Sequence, residues 1–243
     1  MIFFWGCKIR SYEYHFLDDP QQPVVAIEKY KIVRQDTIPF GWWVYYYSNG
    51  SISRRVKYDR IDGKLRPRKV IYYHSNGKVA EKAKGKDGKQ VGIGRQYYPN
   101  GQLAMKAHYK NDSKFGTAKY FYDNGKIKAK GTHGGIAIAV KIDSARNITP
   151  DTIWHNQPSL IGVWKYYYPN GRLKETGSYL PYILRKIILS ADTLPPNLIE
   201  TTPRYETILF KTGEWKYWSE SGEFQKSEFY DERGNLLSSR VSN

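Results

Sequence analysis

Between residues 54 and 130 this 243-residue chain carries 21 lysines and arginines against 6 aspartates and glutamates, a net +15 out of a total of +16. The chemistry open to such a stretch is capture of an anion. Lys78, Lys82, Lys84, Lys86 and Lys89 form its densest run. Lys126, Lys128 and Lys130 alternate, so on a strand they share one face. Like charges lined up along a strand cost stability, and an anionic partner would relieve that cost. The other reading is a row of lysines guarding an exposed sheet edge. Lysine outnumbers arginine here and no nucleic-acid motif accompanies it, which gives diffuse attraction without base reading and disfavours nucleic acid as the partner.

Other chemistry is sparse. His15, His74, His108, His133 and His155 fall in no HExxH or paired cysteine–histidine arrangement, so no metal centre is expected. Gly92-Ile93-Gly94 is a lone Gly-x-Gly, and no Gly-x-Ser-x-Gly elbow occurs. Glu81 and Glu175 are the main acids near a strand face, too few to suggest convergent carboxylates. The expectation is a protein without catalytic site or cofactor. Cys7, the sole cysteine, ends the run Met1-Ile2-Phe3-Phe4-Trp5-Gly6-Cys7, which resembles the end of a bacterial lipoprotein signal, where the cysteine receives the lipid. The run is too short for a working signal and lacks a basic leader. The expectation is therefore conditional. With a start further upstream, Cys7 is a lipidation site and the protein sits at the cell envelope; otherwise it is cytoplasmic and Phe3, Phe4 and Trp5 pack on the first hairpin.

The elements that must position these residues come from a repeat. Tip glycines recur at Gly50, Gly77, Gly101, Gly125, Gly171 and Gly222, with gaps of 27, 24, 24, 46 and 51 residues. Four residues before each tip stands an aromatic: Tyr46, Tyr73, Tyr97, Phe121, Tyr167 and Trp218. Two residues after it stands an apolar side chain: Ile52, Val79, Leu103, Ile127, Leu173 and Phe224. Nine before it is glycine in five copies, with Arg68 in the second. Eight after it four copies are aromatic: Tyr58, Tyr109, Tyr179 and Tyr230.

Ser-Asn-Gly, Pro-Asn-Gly and Asp-Asn-Gly suit a three-residue hairpin loop, a type I turn closed by a left-handed glycine. Pro99 and Pro169 fit its first central position, where the ring already fixes φ. Such a loop pairs the aromatic four before the tip with the apolar residue two after it. The flanking runs, rich in Tyr, Trp, Val and Ile, read as strands. The fold class expected is all-β, an elongated twisted array of repeated antiparallel hairpins in which each unit touches its neighbours. Residues 1–40 form an N-terminal segment of capping strands. Residues 41–243 form the repeat domain, interrupted at 132–161 and 180–212. The near-doubled gaps favour a degenerate hairpin in each interruption over a long loop.

The unit Gly-x-Trp-x-x-Tyr-x-x-Asn-Gly-x-Leu, cleanest at Gly162 to Leu173, resembles MORN-type repeats. It is most similar to the MORN_2 variant of the YwqK family, the antitoxin component of toxin–antitoxin systems. The resemblance covers about residues 41–131, 162–179 and 213–230. It departs from the pattern at Val70, Gly94 and Ala118, which stand where the tryptophan belongs. It implies a non-enzymatic interaction scaffold with a protein partner, acidic in view of the charge and, if the antitoxin label applies, a toxin. The partner-binding residues expected are Tyr45, Tyr47, Tyr72, Tyr98 and Tyr122 with Lys82, Lys84, Lys126, Lys128 and Lys130. The alternative is an envelope lipoprotein, anchored at Cys7, that binds anionic lipid or surface polysaccharide.

Overall fold

A computed structural model describes residues 8–15, 24–33, 36–134, 138–142, 148–152, 160–187 and 204–242. Cys7 and its hydrophobic run lie outside the described residues. Within them the chain is all-β, with no helix. In chain order the strands are β1 (Lys8–His15), β2 (Val24–Val33), β3 (Asp36–Pro39), β4 (Trp43–Tyr46), β5 (Ile52–Ile61), β6 (Lys64–Tyr73), β7 (Val79–Lys86), β8 (Lys89–Tyr97) and β9 (Leu103–Lys110). They continue as β10 (Ser113–Phe121), β11 (Ile127–His133), β12 (Ile138–Ile142), β13 (Ile148–Thr152), β14 (Leu160–Tyr167), β15 (Leu173–Ile187), β16 (Arg204–Trp218), β17 (Phe224–Tyr230) and β18 (Leu236–Val241).

The chain forms two compact units, one up to Ser113 with Lys119–Lys126, the other Lys114–Ala118 with Ile127 onward. In the first, β1 pairs with β2, β2 with both β3 and β4, and β4 through β9 follow as an antiparallel meander. In the N-terminal segment, β1, β2 and β3 extend the ladder. In the second unit β11 pairs with β14, and β14 to β18 follow in order.

The register matches the turn chemistry. Tyr46 faces Ile52, Tyr73 faces Val79, Tyr97 faces Leu103, Tyr167 faces Leu173 and Trp218 faces Phe224. At each tip the glycine N–H donates to the residue three before it, as Gly101 does to Tyr98 at 2.8 Å, and the glycine is left-handed, with φ from 78° to 92°. The opposite hairpin ends use a different device. Asp62-Gly63, Asp87-Gly88 and Asn111-Asp112 all have positive φ at both residues, the type I′ geometry of a two-residue loop. A seventh tip escaped the repeat count. Gly234 has φ 79°, donates to Asp231, and sets Tyr230 against Leu236. The same spacing is in the sequence, but it lies only 12 residues past Gly222.

The first interruption departs from the expectation of a degenerate repeat within the ladder. β12 and β13 do form a hairpin, but β11 pairs directly with β14 past it, and β12 attaches in parallel to β15. Of the second interruption, the described residues prolong β15 and β16, which stay paired as far as Ile187 and Arg204.

Neighbouring hairpins are stapled along the tip edge. Asn76 Nδ2 donates to Pro99 O, Asn100 Nδ2 to Asp123 O and Asn170 Nδ2 to Glu220 O, at 2.8–2.9 Å. The other amide atom of each accepts from its own turn, at Lys78, Gln102 and Arg172. The tip asparagine therefore closes its own loop and holds the next one.

The buried face is a single layer of rings over small residues. Trp43, Trp164 and Trp215 are almost fully buried. Each indole N–H donates to the preceding strand, at Lys29 O, Thr132 O and Ser178 O. A Cβ added to Gly131 would lie 2.2 Å from the Trp164 ring, and one added to Gly177 would lie 2.1 Å from Trp215. The glycines are required there because the indoles lie on the backbone.

Candidate functional site

Cross-strand pairing sorts the first unit into two faces. One row reads Arg55, Ile71, Lys82, Arg95, Lys106 across β5 to β9, and beside it Lys57, Lys69 and Lys84 stand in line. Residues directly opposite one another project to the same side. These seven cations therefore share the outer face, with Lys57 against Lys69, Lys69 against Lys84, Lys82 against Arg95 and Arg95 against Lys106. The carboxylate in the middle of the array, Glu81, belongs to the other face, in the row Arg54, Tyr72, Glu81, Gln96, Met105. Asp59, further along β5, is held by Arg68 at 3.3 Å.

Rings partly offset the repulsion. The Lys57 and Lys69 ammonium groups lie 5.0 and 5.8 Å from the Trp42 ring centre, Arg55 lies 5.8 Å from Tyr73, and Lys82 lies 5.7 Å from Tyr97. Cation–π attraction of this kind contributes about 0.5–1 kcal/mol at exposed sites, of the same order as the cost of a like-charge cross-strand pair.

The residues expected from the sequence fall on three different surfaces. Lys82 and Lys84 are exposed on the outer face of β7. Tyr45 and Tyr72 are on the side of the sheet that carries the buried Val56, where Tyr72 itself stays exposed. The Tyr45 hydroxyl is 3.3 Å from that of Tyr58, Arg54 lies 4.2 Å over its ring, and burial first, then the Tyr58 hydrogen bond, pushes its pKa up. Tyr47 and Tyr98 sit at the tip edge, where their hydroxyls donate to Tyr73 O at 2.6 Å and Phe121 O at 2.8 Å on the next hairpin. Tyr122 occupies the equivalent place beside the Gly125 tip, its N–H donating to Lys126 O. Lys126 is in that tip, held through its N–H by Asn124 Oδ1. Lys128 and Lys130 flank the buried Ala129 on β11 in the second unit, and Lys130 lies 5.6 Å from the Tyr167 ring centre. The hydroxyls of Tyr47 and Tyr98 are thus engaged at the tip edge and that of Tyr45 beside Tyr58, while Lys82 and Lys84 lie on the outer face.

Sequence reasoning missed Arg55, Lys57, Lys69, Arg95, Lys106 and Trp42. A signal was present: the residue five after the tip is basic in the first four copies, Arg55, Lys82, Lys106 and Lys130, and becomes Thr176 and Ser227 in the last two. Among the described residues no group of three or more histidine, cysteine, aspartate or glutamate side chains could hold a metal ion.

A family model described as "MORN repeat variant" matches residues 90–111, 116–133 and 160–180. Repeats of this kind commonly serve as protein- or membrane-binding modules. None of the curated proteins matches the chain. Among solved structures, a chain in "Crystal Structure of TcdB2-TccC3-Cdc42" is similar over 90% of this chain and 11% of its own length, at 12% identity and a TM-score of 0.18. This chain therefore spans about a tenth of that one, and the likeness carries no argument.

Proposed function

We propose that the chain is a non-enzymatic binding scaffold whose outer face, over β5 to β9, holds an acidic partner protein. The observation that carries this reading is the pair of cation rows. Arg55, Lys57, Lys69, Lys82, Lys84, Arg95 and Lys106 share one side of five consecutive strands, with Glu81 turned to the other side. Each directly opposed like pair opposes folding, and an anionic surface laid on the rows removes that opposition. In the antitoxin form of this reading the acidic partner is a toxin whose surface the sheet masks. In the envelope form the rows meet anionic lipid or polysaccharide, with Cys7 as the lipid anchor.

The test uses poly-L-glutamate and, separately, phosphatidylglycerol vesicles as probes. Poly-L-glutamate should bind the full chain at low ionic strength, and added salt should weaken it. Replacing Lys69, Lys82 and Lys84 together by Gln should lower that affinity about tenfold or more, while Lys165→Gln with Lys216→Gln in the second unit should leave it unchanged. Salt-insensitive binding, or equal loss from the two sets, overturns the reading. Vesicle binding without polypeptide binding moves it to the envelope form.

A further inference from the structure

The repeat fills one place on its buried face with its own rings, and in the second copy it leaves that place open. Seven before the tip and eight after it are the positions concerned. In the first copy Trp43 packs on Tyr58, ring centres 4.6 Å apart, and Tyr179 of the fifth packs on Trp215 of the sixth at 4.9 Å. In the third copy the tryptophan is replaced by Gly94, and the Tyr109 ring roofs it, lying 2.6 Å from where a Cβ would be. The second copy has Val70 and Gly85, so neither position supplies a ring. Gly85 could not carry one as the backbone stands: an added Cβ would lie 2.0 Å from Pro67 O. The result is a cavity of about 230 Å³ bordered by Val70, Tyr72, Glu81, Ala83, Gly85 and Gln90, with Lys84, Lys89 and Asp112 also on its lining.

Of the polar groups on this lining, Gln90 offers a donor and Glu81 an acceptor. Gln90 Nε2 is buried and has no hydrogen-bond partner. Leaving such a donor unmet is costly, so the site gains from a ligand atom that accepts. Glu81 supplies a carboxylate, bonded at 3.2 Å by Gln96 Nε2. Elsewhere the same sheet uses carboxylates of this kind to receive phenols. Glu28 Oε2 accepts from Tyr14 and Tyr30 at 3.2 and 2.9 Å, and Glu228 Oε2 accepts from Tyr217 and Tyr230 at 2.7 Å each. A flat ring with one hydroxyl matches all three features, with the ring on Val70 and Ala83, the hydroxyl hydrogen donated to Glu81, and its oxygen accepting from Gln90. We infer that this cavity binds the phenol ring of a tyrosine presented by a partner protein. The site lies on the face opposite the cation rows and stands whether or not those rows bind an acidic partner.

The test is a titration of the full-length ¹⁵N-labelled chain with p-cresol, 4-methylanisole and a capped Ala-Tyr-Ala peptide. p-Cresol and the peptide should give saturable shifts at Val70, Ala83 and Gln90. 4-Methylanisole, which lacks the O–H, should bind about tenfold more weakly or worse. Ala83→Leu should abolish binding by filling the cavity, and Glu81→Gln should weaken it about tenfold, with folding of each verified by thermal melt. Because the ring is neutral, salt should not alter these shifts, whereas it weakens poly-L-glutamate binding. Failure here and failure of the cation rows are therefore separate results. Absence of saturable shifts, equal affinity for 4-methylanisole, or undiminished binding by folded variants overturns the site. Binding of p-cresol with rejection of the peptide overturns its assignment to a partner's tyrosine.

Discussion

In the repeats that end at Gly171 and Gly222, an indole lies on a glycine of the preceding strand: Trp164 on Gly131 and Trp215 on Gly177. In the repeats that end at Gly77 and Gly101 the same two positions hold Val56 with Val70 and Ala83 with Gly94. The volume of each site is fixed by strand spacing, so a large residue on one strand demands the smallest on the other, two medium ones also fit, and where both are small the Tyr109 ring covers Gly94. The outer faces differ in step with this. Five after the tip, the tryptophan repeats carry Thr176, whose hydroxyl donates to Trp164 O, and a buried Ser227. The small-core repeats carry Lys82 and Lys106, set against Arg95. One region buries more apolar surface and keeps few opposed charges; the other buries less and carries repulsion as well. The second is where binding an anion would change the energetics of folding most.

The contrast breaks most sharply at the indoles. Trp215→Ala should destabilise the second unit by about 3–5 kcal/mol, read as a lower urea midpoint, while Val70→Ala, at a half-buried site, should cost far less. Gly177→Ala comes next. Its Cβ must displace the Trp215 ring, which should cost about 1–3 kcal/mol, and Gly94→Ala, which meets mainly the side chains of Tyr109 and Gln90, should cost less than that.

Glu228 gives the second unit an acid limb. Glu228 receives Lys226 first, then Tyr217 and Tyr230, and these bonds hold its carboxyl down at about 2, below the ordinary 4.5. A depressed folded value means stability present above the unfolded pKa. It is lost as pH falls from about 4.5 towards about 2. Glu228→Gln should therefore flatten acid unfolding over that window, as followed by fluorescence.

Smaller effects sharpen the comparison. Asn170→Ala and Asn76→Ala each lose one bond to their own turn and one to the next hairpin, so each should cost about 1 kcal/mol, equal in the two regions. Lys69→Gln removes a lysine flanked by Lys57 and Lys84 and should raise thermal stability by about 0.2–1 kcal/mol. Lys216→Gln, which breaks the 3.0 Å bridge to Glu214, should give no gain.

Turn type, register and strand identity could be read from the chain because each depends on neighbours in sequence. Asn-Gly at a tip fixes the loop, the loop fixes the pair from Tyr46–Ile52 to Trp218–Phe224, and alternation fixes which residues share a side. The reciprocal sizes at Gly131 and Trp164 were also present in the sequence, but they become meaningful only once β11 is known to lie beside β14. The basic column five after the tip was visible too, yet Lys69 and Arg95 join it from other strands and at other offsets.

The amino-acid sequence by itself therefore determined a ribbon of hairpins, its period and its excess of charge, since these are properties of short segments. Tertiary structure decided which strands meet across the two long interruptions. It also decided that Tyr47 and Tyr98 bind the neighbouring hairpin, and that the second copy is left with a cavity beside Val70 and Gly85. Those outcomes depend on contacts between residues far apart in the chain, where backbone approach and side-chain volume act together.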